Sequence, residues 1–500
     1  MSEQNSPLSI GSLPDRTTNS SLVPAALTWL VWSLFAASVV SLIVEYRTGS
    51  VSRSAGIVAI DGLSVLMWAV VTFFSGIVHS YSRRYMAGSM HKTAFFLLTF
   101  SFTLTVIGLV IAEHIAVFSL FWFVMGLLMA KLIGIIGGWQ QAQAAAKVAL
   151  KYFISSSAIL VGALAILWQT TGKVTITGIT TAAPTDTLAG PLLLIASSAL
   201  VLAAVIQSAL VPFHGWLLSS MTAPTPASAL MHAGFVNAGG ILLTRFAPVI
   251  TIDSTLMLAV VSVGAASALL GKLLKTVQTD IKGKLGCSTV GQMGFMIMQA
   301  GLGFFGAAIT HLILHGFYKA YQFLSSGGRV EHAAPSEVTL DQTERRSRVS
   351  SIVITLLTAL AGGAFFAVVT GKGATPDTGM LLIFFIVITV LHAARTAVRQ
   401  VSLPDPVRYG AVPVVFFIAI GVYALVFKLV SGFISGLPSV SAPTELTVFH
   451  GVIAIIFLGV YIAVETEIYK HSPRLYVMLV NAGRPSSDTI LITTEDYNEY

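Results

Sequence analysis

Charge is what this sequence has least of. Only 10% of its 500 residues are Asp, Glu, Lys or Arg, while 55% are hydrophobic. An ordinary soluble domain is about 25% charged, so a water-exposed surface cannot be built from this composition. Cysteine is scarcer still, and the single Cys287 excludes an internal disulfide and any multi-cysteine zinc or iron–sulfur site. Enzyme signatures are missing too. There is no Walker phosphate loop, no GxSxG elbow, no GxGxxG following a strand and no HExxH. No cofactor and no metal are expected in this chain, and ATP-driven transport by it alone is disfavoured.

What the sequence does have is apolar runs long enough to cross a hydrocarbon core, which takes about 20 helical residues. They predict an all-α, polytopic membrane protein with about fourteen crossings. These lie near 24–44, 56–79, 92–111, 115–136, 149–168, 190–211, 226–247, 255–272, 286–301, 304–324, 351–370, 379–395, 411–432 and 446–465. Residues 1–21 read as a disordered cytoplasmic tail, 22–465 as the transmembrane body and 466–500 as a cytoplasmic C-terminal tail. No basic n-region and short apolar h-region open the chain, so the first apolar run is expected to stay in the mature protein.

The formal net charge of +7 is not spread on one basic face, which argues against nucleic acid. It falls instead in alternate short loops. One set holds Arg83 and Arg84, Lys272 to Lys284, and Arg395 to Arg408, while the other holds little beyond Arg47, Arg53, Lys173, Arg245 and Lys372. By the positive-inside bias both termini are cytoplasmic, in an inner or plasma membrane. The 325–350 loop and the C-terminal tail are then free to meet a soluble partner.

A charge at mid-membrane costs at least about 2.5–3.5 kcal/mol, so ionisable residues inside apolar runs are the informative ones. Gln207 and His214 flank Pro212, which lacks the N–H that closes a helical ladder. The proline should interrupt a helix and free carbonyls near His214, unless the segment is a plain turn with His214 at the interface. His232, six residues after Pro226, can take and release a proton near neutral pH, or can be a structural histidine bonded to a carbonyl. His311, His315 and Lys319 recur every four residues and so form one polar stripe about 12 Å long, a spacing suited to a proton relay. Lys131, in the 115–136 run, accepts a proton more readily if buried, or else snorkels. Asp280 reads as a loop residue that caps the next helix or borders the path. His392, Arg395 and Lys428 are the second-half candidates for an exit, with anchoring or snorkelling as the alternatives.

At these residues the sequence resembles the antiporter-like membrane subunits shared by respiratory complex I and multisubunit cation/proton antiporters. The resemblance runs from about Asp61 to Glu331. It is carried by Ile60-Asp-Gly-Leu-Ser64, His79-Ser-Tyr-Ser82, Val211-Pro-Phe-His-Gly-Trp-Leu217, Ala223-Pro-Thr-Pro-Ala-Ser-Ala-Leu230 with Met231-His232, Gln278-Thr-Asp-Ile-Lys282, and His311 through Lys319. It implies two inverted five-helix repeats, each with an interrupted helix, and a mid-membrane chain of buried polar residues that carries protons. His232, His311, His315 and Lys319 match positions of that chain. Two departures stand out: Phe123 occupies the place of a family glutamate after Trp122, and Gln207 the place of a family lysine.

The C-terminal stretch Leu475-Tyr-Val through Pro485, with Asp496 to Tyr500, is most similar to membrane subunits of DAB inorganic-carbon accumulation complexes. That similarity implies a large soluble zinc-binding DabA-like partner with a carbonic-anhydrase-like site. The expectation is therefore a transporter subunit and not an enzyme. It would conduct protons or sodium and couple that gradient to bicarbonate or carbon dioxide uptake. Two rivals stand beside it: a subunit of a cation/proton antiporter or NADH–quinone oxidoreductase, and a membrane anchor with a vestigial channel.

Overall fold

The computed structural model describes residues 22–48, 53–54, 56–185, 190–327, 344–398, 404 and 406–490. The expected N-terminal tail, residues 328–343 of the expected soluble loop, and Asp496 to Tyr500 lie outside the described residues. Nearly everything described is helical, apart from one two-residue antiparallel pair, β1 (Arg53–Ser54) with β2 (Ala59–Ile60).

The helices follow in order: α1 (Val23–Thr48), α2 (Gly62–Tyr85), α3 (Lys92–Ile111), α4 (Ile115–Ile133), α5 (Gln140–Thr171), α6 (Ile176–Ala182), α7 (Gly190–Gln207), the short α8 (Gly215–Ser219), α9 (Thr225–Ala233), α10 (Ala238–Arg245), α11 (Ala247–Ile250), α12 (Ser254–Val277), α13 (Ile281–Gly301), α14 (Phe305–Leu324), α15 (Glu344–Thr370), α16 (Thr378–Val398), α17 (Val412–Phe433), α18 (Val448–Glu465) and α19 (Pro473–Ala482). Among the described residues, 12 helices are long and apolar enough to cross a membrane, α9 and α10 being taken together as one. At the two remaining expected crossings stand α13 and α14, with 21 and 20 residues, which fall outside that apolar set. Both turn most of their surface to other helices, so they do not need the apolarity that lipid imposes.

Helix ends follow local chemistry. Asp61 caps α2, its Oδ1 accepting from the Ser64 N–H at 2.8 Å while the Ser64 hydroxyl accepts from the Asp61 N–H at 2.7 Å. Asp253 caps α12, and Asp280 caps α13 by accepting from the Gly283 N–H at 2.6 Å. Of the two readings open for Asp280, the cap is what the structure places.

Packing gives the interior two main cores. One runs from α1 through α14 and takes in Val430 of α17, and the other gathers α15 to α18 around Val261, Met298 and Phe304. The helices α12, α13 and α14 stand between the two. The pair α12 and α13 touches backbone to backbone, since a Cβ on Gly271 would lie 2.2 Å from the Gly291 nitrogen. Small residues permit this approach, and a close backbone contact is a main source of cohesion where lipid removes the hydrophobic drive between helices.

Arg245, expected in a loop, is instead buried at the end of α10. It forms a fork onto the Asp61 carboxylate, with Nη2 3.1 Å from Oδ1, and Nη2 also donates to the Val110 carbonyl at 2.7 Å. This ties α10 to the start of α2 and the end of α3.

The expected C-terminal tail does not stand free over its described part. Tyr469 and Leu479 are buried with Leu218, Leu274, Val277 and Cys287. The Gln278 amide donates to the Gly483 carbonyl at 3.0 Å, and the Ser486 N–H donates to the Ser219 hydroxyl at 3.0 Å. The segment lies across the face formed by α8 and the α12–α13 turn.

Candidate functional site

Two interruptions shape the interior. The first lies where Pro212 predicts it: α7 stops at Gln207 and the helix resumes only at Gly215. Its freed groups are taken up by neighbours, the Trp216 indole N–H donating to the Ile206 carbonyl at 3.1 Å and the Ser267 hydroxyl accepting from the Val211 N–H at 3.1 Å. The second falls inside the run 226–247, which the sequence presents as one continuous crossing. α9 ends at Ala233, a short 3₁₀ turn covers Phe235–Asn237, and α10 begins at Ala238. Here the Asn237 side-chain amide donates to the Ala233 carbonyl at 2.7 Å, satisfying an acceptor that the break releases. The signal was in the sequence as Gly234 followed three residues later by Asn237. The two breaks meet: a Cβ on Gly239 would fall 2.7 Å from the Ala204 carbonyl. α14 presses on the second break from the other side, a Cβ on Gly316 lying 3.1 Å from the Ala233 carbonyl.

His232 is fully buried just before this second break, with its ring stacked on Phe323 at 4.4 Å. Its Nδ1 lies 2.9 Å from the Thr289 hydroxyl, which itself donates to the Leu285 carbonyl at 3.0 Å. With its one proton so committed, Thr289 must accept from His232, which sets the neutral ring as the Nδ1–H tautomer and leaves Nε2 as an acceptor. Lys319, also fully buried, donates from Nζ to that same Leu285 carbonyl at 2.9 Å. His232, Thr289, Leu285 and Lys319 thus form one connected polar string between α9, α13 and α14. Thr289 and the Leu285 carbonyl were not singled out from the sequence, because neither a hydroxyl nor a backbone oxygen is conspicuous in an apolar run.

His315 and His311 continue along α14, their rings 5.9 Å apart. Neither nitrogen of His315 meets a partner among the described residues. His311 faces a cavity of about 440 Å³ between α12, α13, α16, α17 and α18. Gln207 is buried, and neither atom of its side-chain amide meets a protein partner among the described residues, which leaves both available to water or an ion.

Three sequence candidates lie elsewhere. Lys131 is exposed near the end of α4, and Lys428 is exposed on α17. Of the two readings open for each, a proton-handling group or a snorkelling side chain, their outward helix faces fit the second, since there a long side chain reaches an interface without a desolvation cost. Phe123 lies on the outer side of α4 as well, 37% exposed, while its neighbour Trp122 is buried and donates to the Ser156 hydroxyl at 3.3 Å. His214 is drawn to the C-terminal segment, its Nε2 3.0 Å from the Ala482 carbonyl, and not into the His232 string. Its second reading, a histidine in an interfacial turn, describes its position better.

A second polar cluster closes the far end of the cavity. Lys272 of α12, assigned to a loop in the sequence, contacts His392 Nε2 of α16 through its Nζ. His392 Nδ1 lies 2.9 Å from Glu465 Oε1 at the end of α18, and Arg395 Nε lies 2.9 Å from Glu465 Oε2. Glu465 escaped the sequence reading because it sits at a helix end, where a carboxylate is ordinarily solvated. Among the described residues no group of three or more His, Cys, Asp or Glu is arranged to hold a metal ion.

The buried string of histidine, lysine and hydroxyl groups thus lies among α9, α13 and α14, beside the two interruptions. The comparisons place the family. The model for the transmembrane region of NADH:quinone oxidoreductase and Mrp antiporters matches residues 112–364, about half of the chain, and the model for the N-terminus of complex I chain 5 matches residues 47–96. The chain belongs to this family of antiporter-like membrane subunits.

Within it, the chain is similar to the probable inorganic carbon transporter subunit DabB1 of Halothiobacillus neapolitanus. The two are 38% identical over 283 residues, covering 56% of this chain and 50% of that protein. It is likewise 36% identical over 346 residues to the probable inorganic carbon transporter subunit DabB of Bacillus subtilis, covering 67% of this chain and 65% of the relative. The chain therefore spans less than two thirds of the length of these relatives. A chain in the structure of the membrane-bound sulfane sulfur reductase, an archaeal respiratory membrane complex, shares the fold. Its TM-score is 0.58 at 16% identity, covering 94% of this chain and 92% of that one.

Proposed function

We propose that this chain is the cation-conducting membrane subunit of an inorganic-carbon uptake complex, with the proton as the conducted ion. The observation that carries this reading is the string His232–Thr289–Leu285–Lys319 with His315 and His311 beyond it. A fully buried lysine held by one backbone carbonyl, with no carboxylate beside it in the string, is costly to keep charged. It is therefore suited to gaining and losing a proton, and the free His232 Nε2 is an acceptor close at hand. In this reading Lys319 and the histidines pass protons between the two sides, and Gln207 borders their route.

The coupling is read from the relatives, whose names place them in inorganic carbon transport. A large soluble zinc-binding DabA-like subunit would carry the carbon chemistry, docked on the face that holds α8, the α12–α13 turn and the C-terminal segment, which we take as cytoplasmic. The membrane is then the inner or plasma membrane, with both termini on that side.

Affinity purification of the tagged chain from its native membrane, followed by labelled bicarbonate uptake in cells, tests this reading. Recovery of one large soluble zinc protein, with uptake abolished by an uncoupler, is the expected result. Recovery of several respiratory or antiporter subunits, with bicarbonate uptake indifferent to loss of the chain, would replace it with the complex I or antiporter assignment. Uptake that needs the chain yet ignores both the uncoupler and Lys319→Ala would leave only a membrane anchor.

A further inference from the structure

The string around Lys319 does not end the polar interior. His311 opens onto the 440 Å³ cavity, whose walls are mostly apolar, with Phe295 and Phe385 among them. At its other end Lys272 and His392 line the same cavity. Behind them Glu465 holds His392 by one carboxylate oxygen and Arg395 by the other. The four groups come from three helices that are distant in sequence, α12, α16 and α18.

We infer that Lys272, His392 and Glu465 form a second proton-transfer relay, reached from His311 through the cavity, with Arg395 as the positioning residue for the carboxylate. The inference rests on the proposed ion-conducting function and supplies its exit.

The hydrogen-bond polarity allows the step. With Glu465 ionised, the neutral His392 ring places its proton on Nδ1 and donates it to Oε1, so Nε2 accepts from the Lys272 ammonium. A proton moving from Lys272 Nζ to Nε2 lets the Nδ1 proton pass to Glu465. Lys272 becomes a neutral amine, His392 is again neutral with its proton on the other nitrogen, and Glu465 becomes a carboxylic acid. Loss of that proton from Glu465, return of the ring to its first tautomer and uptake of a proton by Lys272 from the cavity reset the relay. Arg395, its Nε ion-paired with Oε2 at 2.9 Å, keeps the carboxylate turned to the ring.

A structural clamp between α16 and α18 would need the Arg395–Glu465 pair alone. It gives no reason for Lys272 of α12 to meet the ring, nor for His392 to stand between a lysine and a carboxylate. The charged and titratable groups facing this cluster among the described residues are Lys272 and Lys275 of α12, His311 of α14, Arg395 of α16, Tyr423 of α17, and Tyr461 and Glu465 of α18. The proton path they offer has both a base and an acid, which the string around Lys319 does not.

The test uses the intact complex in proteoliposomes with an imposed pH gradient and a trapped pH-sensitive dye. His392→Gln and Lys272→Met are expected to lower proton flux about a hundredfold, and Glu465→Gln to lower it and shift its pH profile, while subunit stoichiometry stays unchanged. If Lys319→Ala abolishes flux but His392→Gln and Lys272→Met keep wild-type flux and pH profile, the relay is overturned and the proposed function stands. If Lys319→Ala is also silent, the proposed function falls with it. A second measurement covers variants that fail to assemble. In a Cys287→Ser background, Thr389→Cys on the cavity wall should react with a membrane-impermeant thiol reagent and lose flux on labelling. An unreactive thiol, or full flux after complete labelling, overturns the route.

Discussion

The two polar clusters of this protein use the same kinds of residue in opposite charge balance. The first, around Lys319 and His232, is wholly buried and contains no carboxylate, its donors meeting a hydroxyl and a helix carbonyl. The second, around His392, is partly exposed and is closed by a carboxylate that also pairs with an arginine. A buried base without an acid can hold a proton only by giving up hydration, whereas a base next to an acid can hand it on. In the proposed route the two would act in series, the first cluster carrying the proton across the buried interior and the second passing it on at the far end of the cavity.

The Asp61–Arg245 pair is a benchmark for what a purely structural buried pair is worth. Arg245→Met strands the Asp61 carboxylate and should cost about 3–5 kcal/mol, read as a large drop in the unfolding temperature of the purified protein. Glu465→Gln keeps a side chain that can still hydrogen-bond and leaves an arginine that is 21% exposed, so its stability cost should stay within about 1–3 kcal/mol although its effect on flux is large. A stability loss equal to that of Arg245→Met would make the second cluster a clamp and erase the contrast.

Thr289→Val removes the acceptor from the His232 ring and should destabilise by about 1–3 kcal/mol with a matching loss of flux. Thr289→Ser should restore both, because only the hydroxyl is used. The smallest effects belong to the outward lysines. Lys131→Ala and Lys428→Ala should change stability by less than about 0.5 kcal/mol and leave flux at the wild-type value. A flux defect in either would return an outward lysine to the path.

The all-α membrane architecture was legible from composition and run length, and so were the buried positions of His232, His315 and Lys319, with His311 half-buried at the cavity. An ionisable residue inside an apolar run is conspicuous because lipid penalises it. What the sequence could not show was which face a residue takes. Lys131 and Lys428 share that setting with Lys319, yet they point outward, since neither hydropathy nor spacing fixes the rotation of a helix against its neighbours. Lys272 and Glu465 were lost for the reverse reason. They sit near helix ends and read as solvated, and only tertiary packing brings them to His392. The break at Gly234 was hidden because its cause is a side-chain bond from Asn237 that no proline announces.

The central claim is that protons cross this chain through Lys319. It is tested most directly by proton flux in proteoliposomes containing the assembled complex with Lys319→Ala, beside wild type at equal reconstitution. A flux about a hundredfold lower, with unchanged subunit composition, is the result expected here; wild-type flux from the variant would contradict it.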